Sequence, residues 1–298
     1  MAPRPLLLSA PNFSEGRRDE TVAAIGRSFA PARVLDLHTD ADHGRSVVTL
    51  AAPHGNLAGA LVAGAREVLG RIDLRAHEGV HPHVGALDVV PIVYLDDERR
   101  GVACAEALTT AGLLGDELDF PVFLYGQLAT GPERRERAAL RAGGFGGLRG
   151  RVEAGELEPD YGPRHLDPAR GATLVTARPP LVAFNVELDS DDVELARRVA
   201  AELRESGGGA PGVHALGLPL AGRGRAQVSF NVEDPVGTPL AQLVAAVRRM
   251  APVTEAELVG LAPRAALDGF PGDVPLRASH PCTIEDALRS TEMPTTAS

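Results

Sequence analysis

Residues 57–95 read LAGALVAGAREVLGRIDLRAHEGVHPHVGALDVVPIVYL: a helix pattern, a histidine-rich loop and a strand pattern in immediate succession. Leu57, Leu61, Ala65, Val68 and Ile72 recur at spacings of three and four, which predicts an amphipathic helix over 55–71. Val89 to Leu95 reads as a buried strand, in which Pro91 favours a strand end or a bulge because it cannot donate to a ladder.

Toward the N-terminus, Leu6 to Ser9 predicts a strand, and the turn-rich Pro11-Asn12-Phe13-Ser14-Glu15-Gly16 leads into a helix that Asp19 is placed to cap. Val34 to His38 and Ser46 to Ala51 predict a strand pair around the polar connection 39–45. The order strand, helix, strand, strand, helix, strand is that of a split βαβ arrangement. A helix over 98–117 and a strand over Val122 to Tyr125 extend it.

The second half repeats the order. Leu181 to Leu188 predicts a strand, Asp191 to Arg204 a helix capped by Asp189 or Ser190, and Val213 to Leu220 and Ala226 to Glu233 two strands. Pro239 to Met250 predicts a helix and Val253 to Leu261 a strand. Ala183-Phe184-Asn185-Val186-Glu187 echoes in Ser229-Phe230-Asn231-Val232-Glu233, as two neighbouring strands of one sheet would. The expected fold class is α+β: two tandem ferredoxin-like (split βαβ) subdomains, each a mixed sheet with helices on one face, with a ligand cleft between them. The expected boundaries are 1–178 and 179–289, followed by a disordered tail over 290–298.

Between the halves, residues 126–172 change character. Gly and Arg are abundant and only Glu133 to Leu140 reads as helix, so a functional or mobile connector is expected.

With 40 acidic against 30 basic residues the formal charge is −10, which disfavours a nucleic-acid partner, since such binding rests on clustered Lys and Arg. Trp is absent and aromatics are 4%, so the cores must be built mainly from Ala, Val and Leu. Cys104 and Cys282 lie far apart without metal-ligand spacing, and both are expected reduced. The N-terminal apolar run stops after three leucines and no stretch approaches membrane-spanning length, so a soluble, cytoplasmic protein with no membrane partner is expected.

The loop His77-Glu78-Gly79-Val80-His81-Pro82-His83 contains three of the nine histidines. As H-E-x-x-H it would bind zinc only if His77 and His81 shared one face of a helix. Gly79 costs a helix about 1 kcal/mol relative to Ala, and Pro82 pushes His81 toward extended geometry. Histidine is also the side chain poised to move protons near neutral pH, so a loop presenting imidazole to a substrate is the stronger reading. His43 beside Asp40 and Asp42 could suggest a metal, but in a hairpin loop these groups are expected to be solvated.

This stretch resembles the formiminotransferase family, whose signature here runs approximately H-x-G-E-H-P-R-x-G-A-x-D. His77, Gly79, His81, Pro82, Gly85, Ala86 and Asp88 match it. Pro11-Asn12-Phe13-Ser14-Glu15-Gly16 and Arg45 are similar to family sequence as well. So is Pro159-Asp160-Tyr161-Gly162-Pro163, followed by Pro168-Ala169-Arg170-Gly171-Ala172-Thr173. The resemblance covers Pro11 to about Leu267.

It implies a glutamate formimidoyltransferase activity: transfer of the formimidoyl group from N-formimidoyl-L-glutamate to N5 of tetrahydrofolate, in histidine degradation and one-carbon metabolism, without a metal. It implies His81 as general base, Arg45 as a binder of substrate anions, and Gly162, Pro163, Pro168 and Gly171 as folate contacts. The glycines would allow close approach to a flat ligand and the prolines would stiffen the loop. Relatives suggest a homodimer. Asp88 could orient a histidine or cap a turn. The chain departs from the family at Gly44, where the family has Asn, and at Val80, Gln127 and Gly144, where it carries Glu. His83 stands in place of an Arg. These changes alter the charge around the site and keep a second reading open, a non-catalytic or repurposed folate-binding paralogue; a metal-dependent hydrolase on the histidine loop is the third.

Overall fold

A computed structural model describes residues 4–290. The chain divides into two compact units, Met1–Pro179 and Pro180–Ser298. Of the tail expected to be disordered, 290–298, all but Ser290 lies outside the described residues.

The first unit runs β1 (Leu6–Ser9), β2 (Asn12–Phe13), α1 (Asp19–Ser28), β3 (Arg33–Asp40), β4 (Arg45–Pro53), α2 (Leu57–Arg71) and β5 (Leu87–Val93). It continues with α3 (Arg100–Leu118), β6 (Val122–Leu124), α4 (Arg137–Leu140), α5 (Gly144–Glu153) and β7 (Thr173–Arg178). β3 pairs with β4, and β4 with both β1 and β2, which together occupy one strand position; β5, β7 and β6 follow in that order. Pairings are antiparallel as far as β5 and parallel from β5 through β7 to β6.

Pro91 sits inside β5, an interior strand, where neither a strand end nor a bulge was available to it. The register explains this: Ser9 faces Ile92 and Asn12 faces Val89, so Pro91 lies opposite the break between β1 and β2. No ladder bond is asked of it there, and its carbonyl accepts from the Ser9 hydroxyl at 2.7 Å.

One face of this sheet packs under α1, α2 and α3, with Ile25, Leu61, Val68, Ala107 and Leu114 sharing a core with Leu50, Val90 and Ile92. The expected single helical layer describes this face. Phe123 and Leu174 turn the other way and pack with Leu140, Leu148, Leu157 and Leu166, so α4 and α5 form a further layer over β5–β7. The connector expected over 126–172 is therefore structured. Helix α5 escaped sequence reading because Gly144, Gly146, Gly147 and Gly150 each cost it about 1 kcal/mol relative to Ala. Full burial of Leu148 returns about 1.5–3 kcal/mol, and the Arg151 guanidinium ties α5 to the carbonyls of Ala139 and Leu140 at 3.1 and 2.6 Å.

Asp19 does not cap α1: the N-cap position is Arg18, which makes no side-chain cap hydrogen bond, and Glu15 instead ties the turn that leads into the helix. Asp19 is the first residue of α1, and the Glu15 carboxylate accepts from the backbone N–H of Arg17 and Arg18 at 2.8 and 3.0 Å.

The second unit runs β8 (Val182–Leu188), α6 (Val193–Leu203), β9 (Val213–Leu220), β10 (Arg225–Val232), α7 (Leu240–Arg248), β11 (Val253–Val259), β12 (Leu276–Arg277) and α8 (Ile284–Arg289). Its strand order is β12-β11-β8-β10-β9. Only β11 and β12 are parallel. The echoed sequences do lie on neighbouring strands, with Phe184 opposite Phe230. Helix α6 is capped by Asp192, which accepts from Leu195 N–H at 3.0 Å, three residues after Asp189 and two after Ser190. Among the described residues no helix is long and apolar enough to cross a membrane.

Candidate active site

The histidine loop leaves α2 through a short 3-10 turn, Leu74–Ala76, and enters β5 without any helix between. At His77 the backbone is already extended, with φ −77° and ψ 131°, so the H-E-x-x-H geometry is not formed. Among the described residues no group of three or more His, Cys, Asp or Glu is placed to hold a metal ion.

The loop is docked from two sides. Val80 N–H and His81 N–H donate to the carbonyls of Asp42 and His43 at 3.3 and 3.4 Å, on the turn between β3 and β4. Gly44, at φ +62°, lies so close to Gly79 that a Cβ on it would stand 2.6 Å from Gly79 Cα. At the other end the Ser14 hydroxyl and N–H donate to the carbonyls of Gly85 and Ala86, both at 2.8 Å.

These contacts place the His81 ring against the first residue of β4. Arg45 Nη1 lies 2.7 Å from His81 Nε2. A guanidinium has no acceptor, so His81 Nε2 accepts and the ring proton resides on Nδ1. Burial first, then the charges of Arg45, Arg141, His43 and Arg137, hold His81 well below the usual imidazole range, so it is neutral at physiological pH.

His43, expected to be solvated, is buried with 2% of its surface exposed. Its Nδ1 lies 2.6 Å from Asp40 Oδ2, and its ring stands edge-on to His81 with centroids 6.1 Å apart. Burial opposes ionisation of Asp40, but the hydrogen bond and charge of His43 bring it down to about 2.

Asp88 is hydrogen-bonded to no histidine among the described residues. It accepts from Val84 N–H at 2.8 Å, the turn-capping alternative, and pairs with the Arg141 guanidinium. Arg141 and Arg137 are the residues that sequence reading missed. Their spacing of four, which puts two side chains on one helical face, was the available signal: Arg137 lay inside, and Arg141 directly after, the stretch Glu133 to Leu140 that reads as helix.

His83 stacks edge-on against His77 with centroids 4.3 Å apart. Val80 is 42% exposed at the rim. Gly144 lies beside the site, since a Cβ there would be 3.9 Å from the His83 carbonyl. Gln127 does not: it follows β6 at the opposite end of the strands and donates to the Tyr94 hydroxyl at 2.7 Å.

Ser14, His43, Arg45, His77, His81, His83 and Asp88 line a small, tight recess together with Gly44.

Arg45 and His81 thus come together, whereas Gly162, Pro163, Pro168 and Gly171 do not line the recess. Their segment crosses the amino ends of β6 and β7, the same end at which the histidine loop enters β5, through bridges from Tyr161 to Val122 and from Gly171 to Gly85. Gly162, at φ +77°, faces the Phe120 carbonyl, and Gly171, at φ +71°, faces that of Val84. Their missing side chains make room for the protein's own backbone. Asp160 fastens the segment by accepting from Leu124 N–H and the Thr130 hydroxyl at 2.7 and 2.9 Å and by pairing with Arg134.

Comparison with known proteins fits this arrangement. The family model for the formiminotransferase domain, N-terminal subdomain, matches residues 6–178, and that for the formiminotransferase domain matches 183–269. The chain is 36% identical over 265 residues to a glutamate formimidoyltransferase of Streptococcus pyogenes serotype M1, covering 86% of this chain and 89% of that one. It is 34% identical over 273 residues to the glutamate formimidoyltransferase of Thermoplasma acidophilum, with 88% and 89% covered. A formimidoyltransferase-cyclodeaminase of Rattus norvegicus is 38% identical over 281 residues, which span 88% of this chain and 51% of that longer protein. With both subdomain models matched in order along most of its length, the chain belongs to the formiminotransferase family of transferases.

Proposed function

We propose that this chain is a glutamate formimidoyltransferase, which moves the formimidoyl group from N-formimidoyl-L-glutamate to N5 of tetrahydrofolate with His81 as general base, in histidine degradation and one-carbon metabolism. The observation that carries the reading is the neutral imidazole of His81 in the lining of a recess, paired with the Arg45 guanidinium. The reaction needs a neutral base and an anion-binding edge, because the donor carries two carboxylates.

Tetrahydrofolate N5 attacks the amidine carbon, forming an N5–C bond and a tetrahedral adduct. His81 takes the N5 proton and delivers it to the glutamate nitrogen, which leaves as the C–N bond breaks. A positioned base contributes about 10²- to 10⁴-fold, and holding the two substrates together supplies much of the remainder. Arg45 grips a donor carboxylate. The segment bearing Gly162, Pro163, Pro168 and Gly171 forms the folate-facing edge, beside the loop that carries His81.

The test follows formation of 5-formimidoyltetrahydrofolate by absorbance. Wild type is expected to turn over, and His81→Ala to lose about 10²- to 10⁴-fold in kcat. Equal rates in the two proteins would remove His81 from the mechanism. No turnover in wild type, with folate binding intact, would favour a folate-binding paralogue, the reading that Gly144 and His83 keep open.

A further inference from the structure

We propose that Arg45 masks the catalytic base: its guanidinium occupies the His81 Nε2 lone pair until a substrate carboxylate, drawn between Arg45 and Arg141, pulls it away and frees His81 to accept a proton. The identity of the carboxylate, that of the donor, rests on the formimidoyltransferase reading.

Geometry makes the case first. The lone pair on Nε2 is where an incoming proton must go, and Arg45 Nη1 is bonded to it at 2.7 Å. The other ring nitrogen carries the hydrogen and cannot accept. In this arrangement the base is blocked by the same side chain that an anion would recruit.

The charge balance points the same way. Arg45, Arg137 and Arg141 bear on His81 together. Both nearby carboxylates are engaged, Asp88 by Arg141 and Val84 N–H, Asp40 by His43. Burial and the neighbouring charge of Arg141 push Arg45 itself down to about 10, so the guanidinium cluster is held against a cost that an anion relieves. A carboxylate accepts two parallel bonds from a guanidinium, an arrangement that a single imidazole nitrogen cannot match.

The charges that act on His81 are those of Arg45 on β4, His43 on the turn after β3, and Arg137 and Arg141 on α4 and at its end. Around them stand His77 and His83 on its own loop, His38 and Asp40 on β3, and Asp88 on β5. Of these, the arginines and His43 add the positive charge that a bound carboxylate would offset.

Linkage makes the proposal quantitative. If a bound carboxylate raises the His81 titration midpoint by one unit, the protonated protein must bind that carboxylate about tenfold more tightly than the neutral one. Two independent measurements must therefore agree.

The experiment is a pH titration of histidine ring nitrogens by NMR in the full chain, with L-glutamate as the probe and His81→Gln to assign the resonance. Saturating L-glutamate is expected to raise the His81 midpoint by one unit or more. Its Kd is expected to fall about tenfold on lowering the pH across that interval. Arg45→Met is expected to raise the midpoint without any ligand and to abolish the response to glutamate, with its folding checked by the amide spectrum. A midpoint unmoved by glutamate in wild type, an absence of glutamate binding, or an unshifted midpoint in folded Arg45→Met would each overturn the proposal. Wild type that turns over while His81 ignores glutamate would sink the mask alone. Wild type that fails to turn over while His81 responds would sink the formimidoyltransferase reading and keep the mask.

Discussion

Asp88 at the entry of β5 and Arg141 at the end of α4 form an ion pair across 53 residues of chain, with side-chain exposures of 3% and 11%. It fastens the outer helical layer to the strand that carries the histidine loop.

Removing one member of such a pair leaves a buried charge uncompensated, at a cost of about 3–5 kcal/mol. Asp88→Ala is expected to lose stability of that order. Asp88→Ala combined with Arg141→Met is expected to lose less than the sum of the two single changes, because the stranded guanidinium is gone. The chain has no Trp, so urea unfolding followed by far-UV circular dichroism is the measurement, and additive losses would show the two residues to be uncoupled.

Gly162 tests whether the glycine serves ligand or backbone. At φ +77° a Cβ would lie 2.3 Å from the Phe120 carbonyl oxygen. An L-residue in the left-handed region costs about 1–2 kcal/mol before any clash. Gly162→Ala is therefore expected to lower the Tm in the absence of folate. An unchanged Tm with weakened folate binding would assign the glycine to ligand approach.

Glu106, buried on α3, holds the amino end of α2. Its carboxylate accepts from Gly55 N–H, Ala58 N–H and His54 Nδ1, at 2.7, 2.8 and 2.7 Å. A buried donor left without a partner costs about 1–3 kcal/mol. Glu106→Ala is expected to destabilise the first unit by about that amount per stranded amide and to speed hydrogen exchange at Gly55 and Ala58. Exchange rates equal to wild type would mean that other acceptors replace it.

Glu187 in the second unit gives a pH prediction. It shares Arg223 with Glu255 and Arg277 with Glu257, three carboxylates on two guanidiniums. Burial first, and then Glu255, outweigh the lowering by Arg223 and push Glu187 from 4.5 up to about 7. The folded state thus holds a proton that the unfolded chain has released. Its stabilising effect is full below pH 4.5 and is lost as the pH rises through about 7. Glu187→Gln, which cannot ionise, is expected to flatten the decline in unfolding free energy across that window. An unchanged slope would place the proton elsewhere in the cluster.

Sequence alone determined the features that are local in origin. The stripe Leu57, Leu61, Ala65 and Val68 made α2 because burial on one helical face follows residue spacing. Gly79 and Pro82 kept the histidine loop extended through backbone preferences that need no partner. The repeated strand and helix order was legible for the same reason.

Tertiary structure decided what depends on distant partners. The pairing of Arg45 with His81 spans 36 residues and exists because β2 lies between the start of β4 and the entry of β5, drawing both into one sheet edge. His43 became buried because the histidine loop docks on its turn, and helix α5 formed despite four glycines because Leu148 had a second sheet face to cover. A side chain's burial and charge environment are set by which strands become neighbours, and local spacing carries no information about that.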